Sequence, residues 1–389
     1  MRNKQDEYYD FGYKYFGPFL YGFVRWLKKE LKDQGYNKVF FFSRDGYMMK
    51  KAFDLVNDTD IESHYVYFSR RSLRIPLLNI CNTYEESLEF LSWKRFISIK
   101  ELMSYYGLNK ENSDIIIPKD AERDRTVSFE ELKSDRIFRK IFEENKEIIK
   151  DNSARQEEYL LKYTEQCGMR NRFAIVDIGW HGNMQYYLDK FYKSHGFDFD
   201  VSGFYIGILP EKNLASGVNG YVYDPENIAG RKRVLCFLGG YEKLFQSSEG
   251  SASGYCELNG KIVPELMEYE YSEDEKIINA INRWQDGALD FISEVIRSKP
   301  EYSDHQLTEP LIKFGVAPGY SDTQLFSFFY INDGEKIWFT SQKPLYKYRF
   351  KEFIHDFANS PWKTGFLKSV FRIPLPYYWI YSVLKKDIK

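Results

Sequence analysis

Apolar and polar positions along the first 70 residues alternate between helical and strand periods. Between positions 19 and 31 the apolar side chains recur every three or four residues, which predicts an amphipathic helix from about Pro18 onward. Residues 38–42 are β-prone and almost continuously apolar, as is typical of a buried strand in a parallel sheet. Helical spacing then resumes, and residues 65–68 form a second predicted strand. The pattern indicates helices and strands in alternation.

A third predicted strand leads into a glycine loop. A short apolar run that begins after Arg172 ends in Asp177, and the chain then turns through Gly179 and Gly182 into helical spacing from Met184. Such a strand, loop and helix start can present backbone N–H groups and the helix dipole to a phosphate. The alternative is an ordinary turn in which glycine only relieves backbone strain. The spacing matches neither the dinucleotide fingerprint nor a Walker loop.

Further strands and a helical insertion complete the predicted fold. Residues 201–209 and 261–263 predict two more strands, and residues 115–118 predict an isolated strand within otherwise helical spacing. This order predicts a Rossmann-like α/β fold with a largely parallel sheet; a two-domain arrangement of the GT-B type is the alternative. The predicted division is a core of residues 1–82 and 171–265, a mostly helical insertion of residues 83–170, and a helical C-terminal region of residues 266–389.

Composition and charge limit the partners. The 389 residues include 55 Lys and Arg and 57 Asp and Glu, and the resulting net charge of −2 gives no general attraction for nucleic acid. Aromatic residues make up 18% of the chain, which favours either aromatic packing in the core or stacking platforms for sugars or bases. We therefore expect no nucleic-acid partner.

The cysteines and the first residues indicate the compartment. Cys81, Cys167, Cys236 and Cys256 form no C-x-x-C pair, so neither a zinc knuckle nor a disulfide framework is predicted. The N-terminal residues carry charges and no apolar signal-peptide region, and no apolar run reaches the roughly 18 residues of a spanning helix. We expect a cytoplasmic protein that is soluble or peripheral on the inner face of the membrane.

Polar loops follow three of the predicted strands, at residues 43–46, 69–71 and 177–182. Because the carboxyl ends of parallel strands gather at one edge of a sheet, we expect these loops to share a site. Their arginines, Arg44, Arg70 and Arg71, carry planar guanidinium groups that suit bidentate binding of a diphosphate. The alternative is that these arginines form structural ion pairs with neighbouring aspartates.

The same loops, and a Ser- and Gly-rich turn over residues 246–251, carry side chains suited to acid–base chemistry. A group that removes a proton from a sugar hydroxyl needs a pKa near the working pH and a place within hydrogen-bond reach. Each candidate also has a structural alternative, since His181 can be structural, Asp177 can cap the following helix, and Trp180 can pack rather than stack on a sugar. The acid–base candidates are Asp45, Asp177, His181 and Glu249.

The sequence predicts no metal site. Asp198 and Asp200 resemble a D-x-D motif, but such motifs require the aspartates at the end of a buried strand, whereas here the apolar run follows them. The remaining histidines, His64, His195, His305 and His355, lie too far apart in sequence to indicate a metal cluster.

Aromatic and basic residues mix at the end of the chain, over residues 362–372 and 376–386. A cationic, aromatic amphipathic segment can lie in the headgroup region of a membrane. The alternative is a helix docked on the body of the protein with a solvated basic face.

Several of these motifs together resemble a known group of proteins. Over roughly residues 8–255 the chain is similar to the C-terminal region of large bacterial proteins from surface-polysaccharide gene clusters, which are described as predicted hydrolases of the haloacid dehalogenase superfamily. In that family the hydrolase label comes from an N-terminal domain with its own aspartate nucleophile motif, which this sequence lacks. The motifs that carry the resemblance are Gly17-Pro18, residues 42–47, residues 67–71, residues 177–185, and Glu242 with residues 249–251.

The resemblance implies a setting in capsule or O-antigen assembly, where this kind of module accompanies glycosyltransferases. Our hypothesis is a metal-independent glycosyltransferase or phosphosugar transferase, with a nucleotide-activated sugar as donor, an oligosaccharide or lipid-linked acceptor, and no further cofactor. The alternatives are a phosphohydrolase in which Asp45 or Asp177 works with Mg²⁺, and a non-catalytic module of an assembly complex. The predicted substrate- and phosphate-binding residues are Ser43, Arg44, Arg70, Arg71, Gly179, Trp180, Gly182, Gln185 and Ser248.

Overall fold

A five-stranded parallel sheet, covered by helices on both faces, forms the centre of the protein. The computed structural model describes residues 4–91, 96–108, 115–117, 125–214, 217–332 and 335–384. Its strands are β1 (Lys38–Phe42), β2 (Glu62–Val66), β3 (Phe96–Ser98), β4 (Thr126–Ser128), β5 (Arg172–Trp180), β6 (Asp200–Ile208), β7 (Gly217–Tyr223), β8 (Ala252–Leu258), β9 (Lys261–Leu266), β10 (Tyr330–Asn332) and β11 (Lys336–Trp338).

Helices precede, connect and follow these strands. A π-helical turn, Gly12–Phe16, joins the first two of them. The α-helices are α1 (Lys4–Phe11), α2 (Gly17–Asp33), α3 (Gly46–Val56), α4 (Arg70–Arg74), α5 (Tyr84–Leu88), α6 (Ile99–Tyr105), α7 (Phe129–Leu132), α8 (Arg136–Glu144), α9 (Lys146–Gln166), α10 (Asn183–Ser194), α11 (Arg231–Leu235), α12 (Leu238–Phe245), α13 (Glu275–Ser298), α14 (Asp304–Val316), α15 (Tyr320–Leu325), α16 (Phe350–Asn359), α17 (Lys363–Phe371) and α18 (Tyr377–Leu384).

The order of strands in the sheet is β2-β1-β5-β6-β7, and every neighbouring pair is parallel. The chain moves outward from β1 to β2, then returns to the other side of β1 with β5. The boundary between β1 and β5 is therefore the topological switch point, beyond whose carboxyl ends ligands bind in open α/β sheets. The other sheets in the described residues are antiparallel pairs, so the structure contains one Rossmann-like sheet and not the two of a GT-B arrangement.

The two faces of the sheet contribute to two apolar cores. Alternate residues of a strand point to opposite faces, so Ala174 and Val176 join the core with α2, α3 and α13, whereas Phe173 and Ile175 join the core with α9 and α10. Because both faces are covered, the central strands are apolar throughout, which is the pattern that the sequence shows.

The Rossmann-like α/β prediction is confirmed, with local differences. β1 has the predicted bounds, but β2 begins three residues before and ends two residues before the predicted strand. The prediction of a strand over residues 115–118 is wrong for residues 115–117, which have no regular structure and no strand partner; Pro118 lies outside the described residues. β7 was not predicted, because its Gly217-Val218-Asn219-Gly220 start is polar and only half-buried at the sheet edge.

The C-terminal helices α16, α17 and α18 surround a small apolar core of Phe366, Leu367, Val370 and Tyr377. Across the described part of the chain, no helix combines the length and the apolar character needed to cross a bilayer. Exposed apolar side chains are nevertheless concentrated near this end, and Phe350 is 80% exposed.

Candidate functional site

Two aspartates lie at the switch point of the sheet. Asp45 follows β1 and directly precedes α3. Asp177 lies in the second half of β5. It is level with the end of β1, because Phe41 of β1 pairs with Val176 of β5. Asp177 is 7% exposed, and its buried Oδ1 has no hydrogen-bond partner among the described residues. Buried polar atoms are nearly always hydrogen-bonded, so an unbonded carboxylate oxygen at this position marks a candidate ligand contact.

Burial and neighbouring carboxylates raise the pKa of both aspartates. Burial raises the pKa of Asp177 to about 7; N–H groups of Ile178 and Gly179 and the charge of Arg70 act in the opposite direction, and Glu242 adds to the rise. Burial also raises the pKa of Asp45 well above its usual range, and the charges of Asp177 and Glu242 raise it further. The switch point therefore holds three mutually repelling carboxyl groups, one of which titrates near neutral pH.

The three arginines of the loops point in different directions. Arg70, the first residue of α4, is exposed and lies close enough to Asp177 to favour its ionised form. Arg71 donates a hydrogen bond from Nη1 to Ser104 Oγ in α6 at 3.1 Å. Arg44 lies with Nη1 3.5 Å from Glu270 Oε1. The structure therefore places only Arg70 against Asp177, and Arg44 forms an ion pair instead.

A fourth arginine, Arg74, is buried on the same short helix. It is 5% exposed, and its guanidinium carbon lies 4.2 Å from the centre of the Tyr105 ring. Its pKa is lowered to about 10, mainly by burial and to a smaller extent by the charges of Arg71 and Arg70, whereas Tyr187 and Tyr105 act in the opposite direction. Its Nε has no hydrogen-bond partner among the described residues. The helix thus concentrates positive charge beside the loop that follows β2.

Backbone geometry requires the glycines of the loop after Asp177. Gly179 has φ +108°, and a Cβ at this position would lie 2.3 Å from the carbonyl oxygen of Gly207 in β6. Gly182, with φ +68°, precedes the first residue of α10. Both glycines are therefore explained by chain geometry, and the same geometry leaves the N-terminus of α10 at the carboxyl edge of the sheet.

Trp180 also has a left-handed backbone, with φ +69°, which is rare for a bulky residue. Its side chain is 9% exposed, packs edge-to-face against Tyr241, and donates from Nε1 to Glu242 Oε1 at 3.2 Å. The indole is packed in the core rather than open for stacking. Its role in the structure is to hold Glu242 beside the two aspartates.

His181 is exposed, and its Nδ1 lies 3.1 Å from Glu211 Oε1. Partial burial lowers the pKa of the imidazole; Glu211 opposes this effect, and the charges of Arg231 and Arg70 add to it. The charge of Arg70 acts on both His181 and Asp177, so His181 lies near Asp177 at the carboxyl edge of the sheet.

Ser43 and Gln185 serve the scaffold. Ser43 is 7% exposed and donates from Oγ to the carbonyl of Phe68 at 3.1 Å, which links the ends of β1 and β2. Gln185 is 1% exposed; it accepts from Tyr205 Oη at 2.6 Å and donates to the carbonyl of Gly217 at 3.1 Å. The structure does not present these two side chains to the edge of the sheet.

The turn that carries Ser248 and Glu249 packs beside the loop after β1. The N–H of Ser247 donates to the carbonyl of Arg44 at 3.1 Å, whereas Ser248 is exposed at the tip of the turn. Glu249 accepts from Tyr65 Oη at 2.7 Å, Tyr67 Oη at 3.2 Å and Ser247 Oγ at 2.9 Å. Glu249 therefore belongs to a tyrosine-lined cavity next to the switch point.

Comparisons with protein-family models and with curated proteins find no match. The function must therefore be inferred from the arrangement of side chains at the switch point.

Sequence reasoning did not assign roles to Glu242, Lys243 and Glu270. Lys243 is 3% exposed and donates from Nζ to Glu270 Oε1 at 2.5 Å, and its charge lowers the pKa of Asp45. The available signal was an adjacent Glu–Lys pair inside the otherwise apolar helix α12. Charged residues are rarely buried unless they are paired, so such a pair indicates a charge network in the core.

The carboxyl groups are not arranged as a metal cage. Within the residues that the structure describes, no group of three or more His, Cys, Asp or Glu side chains has a geometry suited to a metal ion.

Proposed function

We propose that the protein transfers a sugar or phosphosugar group from a nucleotide-activated donor to a hydroxyl acceptor, as a metal-independent enzyme of bacterial surface-polysaccharide synthesis. The observation that carries the reaction type is the proximity of Arg70 to Asp177 at the switch point, close enough for the charge of Arg70 to favour the ionised carboxylate. This arrangement combines a carboxyl group that titrates near neutral pH with an exposed guanidinium. The biological setting rests on the resemblance of the motifs to proteins of polysaccharide gene clusters.

Asp177 has the properties of a general base for this transfer. A base works best when its pKa is near the operating pH, and the burial of Asp177 brings its pKa to about 7. In the proposed step its carboxylate takes the proton of the acceptor hydroxyl, and the hydroxyl oxygen forms a bond to the anomeric carbon of the donor. The bond between that carbon and the diphosphate oxygen breaks, and the diphosphate leaves with the electron pair.

Arg70 supplies positive charge where the diphosphate develops its own negative charge. It lies close to Asp177, and no ion pair in the described residues occupies its guanidinium. The N-terminus of α10, which follows Gly182, adds a positive helix dipole at the same edge.

A thermal-shift and calorimetry panel of UDP, GDP, CMP and CDP species tests the proposal. We expect at least one nucleotide to bind, and Arg70→Ala to weaken that binding. Arg71→Ala is the matched control, because this neighbouring side chain is directed to Ser104. Absence of binding by every nucleotide, or equal loss in both variants, would contradict a diphosphate site at Arg70.

A Mg²⁺-dependent phosphohydrolase is the second candidate. The charges of Asp177 and Glu242 raise the pKa of Asp45, and the charge of Glu242 raises that of Asp177; a divalent cation bound by oxygen ligands would relieve this repulsion. Magnesium-dependent release of phosphate from sugar phosphates, lost in Asp45→Asn, would favour this candidate over transfer. Polymer production that survives the triple change of Asp45, Asp177 and His181 to alanine would favour a non-catalytic module.

We also propose peripheral membrane contact through the C-terminal helices. Tyr377 and Tyr381 are buried and dock α18 on the protein, whereas Trp379 of the same helix is 63% exposed. An exposed tryptophan near basic residues is typical of segments that lie at a membrane interface.

A further inference from the structure

A cavity of about 310 Å³ lies between α3, β2 and the turn at residues 247–249. Its volume is at the lower end of the roughly 300–1,000 Å³ found for small-molecule sites, which suits a single ring-sized ligand. We call it the tyrosine cavity, and it is lined by Tyr47, Lys50, Lys51, Asp54, Tyr65, Tyr67 and Glu249.

We propose that the tyrosine cavity binds one uncharged sugar ring of the acceptor. That the ligand is the acceptor rests on the proposed transfer reaction. That the ligand is an uncharged sugar ring rests on the lining of the cavity. Sugar rings have apolar C–H faces and hydroxyl edges, so a site for them requires aromatic surface together with hydrogen-bonding groups.

Tyrosine rings supply the aromatic surface. Tyr47 and Tyr65 lie 6.2 Å apart between ring centres at 70°, and Tyr65 and Tyr67 lie 5.3 Å apart at 78°. Rings in edge-to-face contact hold one another in fixed orientations, so the wall of the cavity is already formed without ligand. Lys51 places its ammonium 4.3 Å from the centre of the Tyr47 ring, and the aliphatic part of such a side chain covers apolar surface.

Glu249 supplies a hydrogen-bond acceptor in a fixed position. Tyr65 Oη and Ser247 Oγ donate to its Oε1, and Tyr67 Oη donates to its Oε2. An ionised carboxylate has about four acceptor sites, so these three donors leave Oε2 able to accept from a sugar hydroxyl.

The charges around the cavity balance, which favours a neutral ligand. Lys50 Nζ lies 2.6 Å from Asp54 Oδ2, so these two charges cancel within the protein. The remaining pair, Lys51 and Glu249, has opposite signs, and the lining therefore carries no net charge. A cavity for phosphate would instead carry an excess of positive charge.

The cavity shares a wall with the switch point. Tyr47 lies two residues after Asp45, and its N–H and that of Ser247 both donate to the carbonyl of Arg44. Tyr65 Oη also lies 3.3 Å from Ser247 Oγ. A sugar ring in the cavity would therefore lie beside the loop that carries Asp45, next to the switch point where the proposed transfer takes place.

Ligand-observed NMR on the full chain tests the inference with methyl glycosides of neutral hexoses, N-acetylhexosamines and uronic acids. We expect the neutral glycosides to bind, and Tyr47→Ala to weaken them by about tenfold or more. Tyr346→Ala, at a tyrosine that is 84% exposed, is the matched control. Tyr67→Phe keeps the ring and removes one bond to Glu249, so it tests the cavity if Tyr47→Ala does not fold.

A parallel nucleotide titration of the same proteins separates the two proposals. Nucleotide binding that is equal in wild type and Tyr47→Ala, with glycoside binding lost only in the variant, supports a separate sugar subsite. Nucleotide binding without any glycoside binding overturns this inference and leaves the transferase proposal intact. Glycoside binding without any nucleotide binding supports the subsite and contradicts the transferase. A preference for uronic acids overturns the assignment of a neutral ring.

Discussion

Trp180 donates a 3.2 Å hydrogen bond from its indole to Glu242, and this bond joins the glycine loop after β5 to helix α12. The two residues are 62 positions apart, and their contact adds the third carboxyl group to the pair Asp45 and Asp177. A left-handed backbone is costly for a bulky residue such as Trp180, and the packing and hydrogen bond of the indole offset that cost.

Removal of the indole N–H is expected to destabilise the fold. Trp180→Phe keeps an aromatic ring but leaves Glu242 without its donor, and we expect a loss of about 1–3 kcal/mol in the free energy of unfolding, measured in urea. Trp379→Phe, at a 63% exposed position, is the control and should change stability by less than about 0.5 kcal/mol. Equal effects of the two changes would contradict the structural role of the bond.

The titration of Asp177 is expected to make stability depend on pH. Its pKa rises from 3.8 to about 7 in the folded protein, so the folded state binds the proton more tightly than the unfolded chain. The resulting stabilisation is complete below about pH 4 and is lost as the pH rises through about 7. Asp177→Asn stays neutral, so its stability relative to wild type should increase between pH 4 and 7.

Carbon NMR of the Asp177 carboxyl group gives a direct check, with an expected midpoint near 7. His181→Asn is the control with the opposite sign. Because the pKa of His181 is lowered in the folded protein, its contribution to stability is present above the ordinary histidine pKa and is lost as the pH falls. His181→Asn cannot titrate, so this loss of stability at low pH should be absent in that variant. A midpoint near 4 for Asp177 would contradict the proposal that burial brings its pKa close to neutral pH.

Arg70 is expected to tune the acidity of Asp177. Its charge favours the ionised carboxylate, so Arg70→Ala should raise the pKa of Asp177, seen as a higher NMR midpoint. Arg70→Lys keeps the charge and should largely preserve the wild-type midpoint. The melting temperature should change little in Arg70→Ala, because the side chain is exposed. An unchanged midpoint in Arg70→Ala would contradict the proximity of the two groups.

Removing one partner of the ion pair between the buried Lys243 and the half-buried Glu270 is expected to destabilise the fold. Among the described residues, Lys243→Met leaves Glu270 with the longer contact to Arg44 alone, and we expect a loss of about 3–5 kcal/mol. The double variant Lys243→Met with Glu270→Gln should lose less than the sum of the two single changes, which chemical denaturation of all four proteins will measure. Strict additivity would show that the pair is not coupled.

The C-terminal helices are expected to bind anionic membranes. Trp379→Ala and Phe350→Ala should each reduce co-sedimentation with vesicles that contain phosphatidylglycerol, because both side chains are largely exposed. Leu258→Ala removes an exposed apolar residue from the hairpin β8–β9, outside the C-terminal helices, and should have no effect. Binding that is unchanged by all three substitutions would favour the docked-helix alternative.

The hydrophobic pattern alone determined the α/β class, the bounds of β1, and the positions of α2, β5 and α10. These elements bury one or two faces, and burial imposes a period that the sequence shows directly. The pattern also predicted that the loops of Asp45, Arg70 and Asp177 lie at the same edge of the sheet, because the carboxyl ends of parallel strands meet there. The antiparallel pair β8–β9 could have been predicted from its Asn259-Gly260 turn, which is a strong hairpin signal.

Only the tertiary structure decided which side chains meet at that edge. Arg44 pairs with Glu270, Arg71 contacts Ser104, and Gln185 is buried, although all three lie in segments that were correctly placed along the chain. Glu242 and Lys243 reach the aspartates from a helix far along the sequence. Hydrophobic periodicity shows which face of a helix or strand packs against the core. The direction of a loop side chain depends instead on charges and hydrogen-bond partners that folding brings from distant positions in the sequence.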